Sequence, residues 1–154
     1  MKKRVVALLL ALMFSATGMI ANDCKVYAEE SEQDVDMSEI WTEDALVGYG
    51  EAQTWGVYLA EGVSIINNAG GGKIGCGGIT SAAVRCKVSV NAVVEKKVNG
   101  SWTRVTSWSS TNTNALTASV SKTLSVGSGY YYRVRSSHSA GTDTSSSCTD
   151  SLWM

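Results

Sequence analysis

The fold of this 154-residue chain is narrowed first by one dipeptide, Asn99-Gly100. It lies between two runs in which β-branched residues alternate with polar ones. Both central residues of a two-residue type I′ turn need a positive φ, and Asn and Gly adopt it most easily. The dipeptide therefore predicts a β-hairpin in which Val98 lies opposite Ser101.

The hairpin register assigns the side chains to two faces, because successive residues of a strand point to opposite sides. The face predicted to be buried carries Val88, Val90, Ala92, Val94, Thr103 and Val105. The face predicted to be exposed pairs Asn91 with Trp108, Val93 with Thr106, Glu95 with Arg104 and Lys97 with Trp102. The same alternation predicts that one side of the next run points inward: Leu116, Ala118, Val120, Leu124 and Val126. In the run after that, it places Tyr130, Tyr132 and Val134 on one face and Tyr131, Arg133 and Arg135 on the other.

The rest of the chain from Gln53 onward has the same character. Short β-branched and aromatic runs are separated by Gly, Asn and Ser, and no helical period is present. The predicted strands are 54–60, 63–67, 73–80, 83–98, 101–109, 115–126, 130–139 and a last one near 146–153. Seven or eight short strands in about 100 residues predict an all-β fold, a single antiparallel β-sandwich. A small β-barrel is the alternative.

The first 28 residues have the layout of a signal peptide. Lys2, Lys3 and Arg4 form a positive start, and an apolar run of ten residues over 5–14 follows. That run is shorter than the roughly 20 residues needed to span a bilayer. Small or branched residues precede a cleavage site after Ala28. We therefore expect a secreted, extracellular protein that does not span a membrane after processing.

Charge is distributed unevenly along the remaining chain. Residues 29–51 carry nine acidic residues and no Lys or Arg, whereas residues 52–154 carry nine basic and four acidic ones. Such an acidic run repels itself and buries little, which predicts a disordered leader ahead of a β-sandwich domain over 52–154. The alternative is a pro-segment or cover that lies on the basic domain, with Ile40, Trp41, Leu46 and Val47 as its apolar anchors.

The cysteines indicate at most one disulfide in the processed chain. Removal of residues 1–28 takes away Cys24 and leaves Cys76, Cys86 and Cys148. We expect Cys86 to pair with either Cys76 or Cys148, although strand parity also allows Cys76 and Cys86 to be small buried hydrophobic residues. The chain has no C-x-x-C motif and a single His, which predicts no metal site and no cofactor.

Catalytic groups are scarce in residues 52–154. His138 is the one neutral-pH base, and the carboxylates are those of Glu61, Glu95, Asp143 and Asp150. A Cys148–His138 nucleophile pair would make a cysteine-dependent hydrolase, but the flanking sequences typical of cysteine peptidases are absent. We therefore assign no catalytic residue and expect His138 on the surface or in a turn.

Surface recognition is the function that these residues favour. The faces predicted to be exposed carry aromatic and cationic side chains, which form the predicted ligand-binding set: Trp102, Trp108, Tyr131, Lys97, Arg104, Arg133 and Arg135. Flat rings stack on sugars and bury well at protein interfaces, and guanidinium groups bind carboxylates or phosphates. A β-bulge near Asn99 would instead turn the tryptophans into core. The formal net charge of −1 does not indicate a nucleic-acid partner.

Two resemblances add to this interpretation. The stretch Gly129-Tyr130-Tyr131-Tyr132-Arg133-Val134-Arg135, entered through Gly127-Ser128, resembles the late-strand pattern of fibronectin type III and immunoglobulin-like sandwiches. Over residues 54–154 the chain resembles an uncharacterised family of small secreted proteins of Gram-positive bacteria, a domain of unknown function. That resemblance is carried by Asn99-Gly100-Ser101-Trp102, by Tyr130 to Arg135 and by His138-Ser139-Ala140. It implies secretion and a β-rich fold and brings no catalytic residues.

The function expected from the sequence is therefore a secreted, non-catalytic binding module that recognises a glycan or protein at a cell surface. A secreted antimicrobial or toxin-like protein with an acidic pro-segment is the second interpretation. A cysteine-dependent hydrolase is the third.

Overall fold

The computed structural model describes residues 36–52 and 56–154, and this part of the chain folds into β-strands without a helix that could cross a membrane. The strands are β1 (Leu46–Tyr49), β2 (Glu51–Ala52), β3 (Leu59–Gly70), β4 (Lys73–Val98), β5 (Ser101–Ser125), β6 (Tyr131–Ala140), β7 (Asp143–Cys148) and β8 (Leu152–Trp153). The predicted all-β class is confirmed. The predicted signal peptide lies outside the described residues.

The Asn99-Gly100 turn joins the two longest strands. Asn99 has a φ of 51° and Gly100 a φ of 82°, and Val98 lies opposite Ser101 as predicted. β4 and β5 form a long ribbon that is irregular between Ser81 and Cys86. The predicted strands 73–80 and 83–98 are thus two arms of β4, and 101–109 and 115–126 are two arms of β5.

The bent ribbon contributes one arm of each strand to each of two layers. The first arm of β4 pairs with β3, which pairs with β1, and these strands with the second arm of β5 form the first layer. The second arm of β4 pairs with β6, which continues to β7 and β2, and these strands with the first arm of β5 form the second layer. Because only Gly50 separates β1 from β2, the antiparallel sheet nearly closes on itself like a barrel.

The main core lies between the two layers and follows the predicted alternation on β4 and β6. Its buried apolar side chains include Ile66, Ile74, Val88, Val90, Ala92, Val94, Ala118, Val120, Tyr132 and Val134. Tyr132 supplies the largest of them, and its hydroxyl donates to the carbonyl of Gly127 at 2.9 Å. Leu116, predicted to point inward, is instead 37% exposed.

A β-bulge changes the predicted hairpin register. Pairing follows the prediction as far as Glu95 opposite Arg104, but Val94 then lies opposite Thr106, so Val105 is an extra residue in β5. Beyond the bulge, Trp108 lies opposite Ala92 instead of Asn91. The predicted burial of Val105 is wrong because it is the bulged residue, and the predicted burial of Thr103 is wrong although its register, opposite Lys96, is as predicted; both residues are exposed.

Part of the acidic region, predicted to be a disordered leader, is folded. β1 and β2 lie within it, and Ile40 is only 1% exposed. Ile40 packs with Val63 and Ile65 on the outer side of the first layer. A Cβ added to Gly77 would lie 2.6 Å from the Ile40 side chain. The glycine therefore leaves room in the sheet for the isoleucine.

Asn67 fixes the backbone around Ile40. Its Nδ2 donates to the carbonyl of Glu39 and to Oγ1 of Thr42, both at 3.1 Å, while its Oδ1 accepts from the amide of Gly75 at 3.0 Å. Residues 36–45, called here the covering segment, thus lie over the first layer. Ile40 is the buried residue of this segment, whereas Trp41 stays 50% exposed.

Replacing the anchor tests this packing. We expect Ile40→Ala to lower the free energy of unfolding by about 2–4 kcal/mol, because it removes a buried side chain and leaves a cavity. The matched control Trp41→Ala removes a larger but half-exposed side chain of the same segment and should cost less than about 1 kcal/mol. Urea denaturation measures both changes, and equal losses would contradict the covering role of Ile40.

Candidate ligand-binding face

The outer face of the second layer brings together most of the predicted ligand-binding residues, and it is called the binding face below. Trp102 is its centre. The guanidinium carbon of Arg133 lies 4.1 Å from the Trp102 ring centroid, and Nζ of Lys97 lies 5.7 Å from it. Arg133 is fixed in turn, because its Nε donates to Oε2 of Glu95 at 2.7 Å. The ring is therefore held by two cations and is itself partly buried.

A second aromatic pair lies at the same end of the binding face. Tyr131 is opposite Trp153 in the β6–β8 pairing, and their ring centroids are 4.8 Å apart in an edge-to-face arrangement. Both rings remain about half exposed. Trp153 could not be singled out from the sequence, because β8 is two residues long and has no alternation that would assign its side chain to a face.

Small polar side chains cover the other end of the binding face, where a groove of about 1000 Å³ lies. One row across four strands consists of Ser109, Asn91, Ser137 and Ser146. The next row consists of Thr111, Ser89, Ser139 and Thr144. Neighbouring strands lie about 4.8 Å apart, so the groove presents hydroxyl and amide groups at a regular spacing.

The cations of the predicted set share this side of the sheet. Arg104 lies opposite Glu95 in the register, as predicted, but it hydrogen-bonds to Ser107 while the Glu95 carboxylate binds Arg133. Arg135 lines the groove. Trp102, Tyr131, Lys97, Arg104, Arg133 and Arg135 thus occupy one face. Their role in binding stays a prediction.

Trp108 is the exception, and its predicted place on the exposed face is wrong. The bulge at Val105 turns it toward the inner side of the sheet, where it packs against the main core. Within the described residues, its indole nitrogen is buried and has no hydrogen-bond partner. Nζ of Lys122 lies 5.5 Å from its ring centroid.

The sequence predicted His138 on the surface or in a turn, and that prediction is wrong. The side chain lies between the layers and is 2% exposed. Its Nδ1 is 2.8 Å from Oγ1 of Thr80, and its Nε2 is 2.7 Å from Oγ of Ser147. The Ser147 hydroxyl is 2.6 Å from that of Ser64, which donates to Ser136 at 2.7 Å. A chain of polar side chains therefore crosses the core from β4 through β6 and β7 to β3.

The interior position of His138 sets its protonation state. Burial lowers the pKa of its imidazole to about 4, so the ring is neutral near pH 7. The neutral ring donates at one nitrogen and accepts at the other, and Oγ1 of Thr80 also lies 2.9 Å from the carbonyl oxygen of Ser89. Gly62 lies against the ring, and a Cβ at that position would collide with it.

The Cys148–His138 nucleophile pair is not assembled. Cys148 is exposed and lies opposite Arg135, on the binding face, whereas His138 points into the core. Partial burial raises the pKa of the Cys148 thiol, which is the opposite of an activated nucleophile.

The disulfide expected for Cys86 is absent from the described part of the chain, where three cysteines are free thiols. The register separates them, because Cys76 lies opposite Lys122, Cys86 opposite Ala115 and Cys148 opposite Arg135. Cys76 is fully buried, as strand parity allowed, and burial raises the pKa of its thiol to about 12.

The buried imidazole should make stability depend on pH. An unfolded chain protonates His138 near pH 6.5, whereas the folded chain resists protonation down to about pH 4. The unfolded state therefore binds more protons in this window, and we expect the free energy of unfolding to fall by about 3 kcal/mol as pH drops from 6.5 to 4.

Urea denaturation of the wild type and of His138→Gln between pH 7 and pH 4 measures this dependence. The variant should lose most of it. An NMR titration of the wild-type imidazole gives an independent reading if the variant folds poorly. An imidazole that titrates near pH 6.5 in the folded protein would contradict the buried, neutral state.

No curated protein sequence matches the chain. A solved structure to which the chain is similar is the solution structure of CsgH from R. palustris, at 18% identity, with 69% of this chain and 91% of that chain covered and a TM-score of 0.38. A similarity this weak supports no inference about the function of this protein. Residues 23–152 match the model of a family of unknown function, DUF6147, and the chain therefore belongs to that family.

Proposed function

We propose that this protein is a secreted, non-catalytic binding module that recognises a glycan at a cell surface through the binding face. One observation carries the proposal. Trp102 stays on an exposed sheet face, held by Arg133 and Lys97, beside a groove of hydroxyl and amide groups. A ring whose position is already fixed loses little conformational entropy when a ligand stacks on it.

The two ends of the binding face offer complementary contacts to a sugar chain. Aromatic rings at one end suit the apolar faces of sugar rings, while hydroxyl and amide groups at the other suit their hydroxyl groups. From Ser89 to Lys97, β4 crosses both ends, and the eight steps between these nine residues extend about 27 Å. A protein loop is the alternative ligand, since the same aromatic and arginine side chains are common at protein interfaces.

Binding without catalysis fits the state of the ionisable groups on this face. The Glu95 carboxylate is engaged by Arg133, and the pKa of the Cys148 thiol is raised. Secretion is proposed from the signal-peptide layout of residues 1–28 and from the resemblance to small secreted proteins of Gram-positive bacteria.

The toxin-like alternative gains no support from the covering segment. An inhibitory pro-segment would have to lie on the cationic aromatic surface, but residues 36–45 pack on the first layer instead. The binding face belongs to the second layer.

A glycan-binding assay tests the proposal. The probes are purified bacterial cell-wall polysaccharides and soluble peptidoglycan fragments, presented on an array and then titrated by calorimetry. We expect Trp102→Ala to weaken binding about tenfold or more, because it removes a central stacking ring.

Trp41→Ala is the control, since it removes an exposed tryptophan from the covering segment, away from the binding face, and it should leave affinity unchanged. Equal binding by Trp102→Ala and the wild type would contradict the assignment of the binding face. If the wild type binds none of the glycan probes, the proposal of a glycan ligand is contradicted.

A further inference from the structure

Two exposed arginines in the middle of the binding face, Arg104 and Arg135, have no carboxylate partner among the described residues. Glu95 lies opposite Arg104 in the register, but its carboxylate pairs with Arg133 at 2.7 Å. Arg104 hydrogen-bonds to the neutral hydroxyl of Ser107 instead. The face therefore carries two guanidinium groups whose charge no described side chain neutralises.

The register brings these two charges to opposite sides of Val93. Ser107, to which Arg104 is hydrogen-bonded, lies opposite Val93 on β5, and Arg135 lies opposite Val93 on β6. Since neighbouring strands are about 4.8 Å apart, the Cα atoms of Ser107 and Arg135 are separated by about 10 Å. Val93 is apolar and much shorter than the arginines on either side, so it leaves space above the sheet between them.

Other carboxylates do not neutralise Arg135. Burial raises the pKa of the Cys148 thiol, which lies opposite Arg135, and among the charges around this thiol Arg135 lowers the pKa and Asp150 raises it. Asp150 is thus near the same row, but within the described strands and loops it forms no ion pair with Arg135. Glu51 belongs to β2, three strands away from Val93. The guanidinium group of Arg135 is therefore available to a ligand.

The row of Val93 lies between the two ends of the binding face. Along β4, the row of Lys97 and Trp102 is four residues away, which is about 14 Å. The row of Asn91, where the hydroxyl and amide groups begin, is two residues away in the other direction, which is about 7 Å. A sugar chain that contacts both ends therefore passes over Val93, between the two arginines.

An oxyanion is the group that such a pair of arginines binds best. A guanidinium group donates two parallel hydrogen bonds to a carboxylate or a phosphate, and these charge-assisted bonds are stronger than bonds to neutral hydroxyl groups. A neutral sugar chain at the same place would leave both charges without a partner.

We propose that the glycan recognised by the binding face is anionic and that Arg104 and Arg135 bind its carboxylate or phosphate group above Val93. This inference rests on the function proposed above and adds the charge of the ligand to it. Trp102 supplies stacking to the sugar rings, while the two arginines select an acidic sugar chain over a neutral one.

Pairs of probes that differ only in charge test the proposal. One pair is oligogalacturonate and its methyl ester, and the other is pentamannose with and without a phosphate group. In calorimetric titrations of the wild-type protein, at least one acidic probe should bind about tenfold or more tightly than its neutral partner, and added salt should weaken that binding. The pair that shows the difference distinguishes a carboxylate ligand from a phosphate ligand.

Substitutions locate the recognition of charge. Arg104→Gln and Arg135→Gln should each weaken binding of the acidic probe about fivefold or more, whereas Lys73→Gln, which removes an exposed lysine from the first layer, should leave it unchanged. Val93→Glu places a carboxylate between the two arginines. It should bind the acidic probe about tenfold more weakly than Val93→Gln, which has nearly the same size and no charge.

The outcomes separate this inference from the proposed function. Equal binding of acidic and neutral probes, weakened in both cases by Trp102→Ala, would overturn the anionic ligand and leave the glycan-binding face in place. A preference for acidic probes that persists in both Arg104→Gln and Arg135→Gln would overturn the site above Val93. Absence of binding to all four probes would contradict both proposals.

Discussion

The β-bulge at Val105 determines what each tryptophan of the β4–β5 ribbon can do. Before the bulge, Trp102 lies opposite Lys97 and faces outward. After it, Trp108 lies opposite Ala92 and faces inward. Without the extra residue both rings would stand on the same exposed face. The bulge therefore divides one aromatic stripe into two sites, the outer binding face that carries Trp102 and an inner packing site that carries Trp108.

The interior of the protein is polar where the two layers meet. Thr80, His138, Ser147, Ser64 and Ser136 come from β4, β6, β7 and β3, and their hydrogen bonds link both layers through the core. Such a chain stabilises the fold only while every member is paired, and a neutral imidazole is what keeps it paired. The single histidine thus serves the fold, and the outer faces remain available for recognition.

The sequence was sufficient for features set by local geometry and insufficient for those set by distant contacts. Asn99-Gly100 specified its turn, and alternation specified the buried face of β4. A bulge near Asn99 was the alternative to an unbroken register, but its position was not predictable, because Thr103-Arg104-Val105-Thr106 contains no glycine to mark it. The burial of Ile40 was not predictable, because its neighbours in the sequence are acidic. The glycine that makes room for it lies 37 residues away, at position 77. The burial of His138 was also not predictable, because its serine neighbours are typical of a solvent-exposed strand.

Cross-strand NMR contacts in the β4–β5 ribbon test the account most directly. Backbone NOEs should connect Trp108 with Ala92 and Trp102 with Lys97, and the Trp108 indole proton should exchange slowly while that of Trp102 exchanges fast. NOEs between Trp108 and Asn91, with both indoles in fast exchange, would show an unbroken register. In that case the two tryptophans would share one exposed face, and the division into two sites would be wrong.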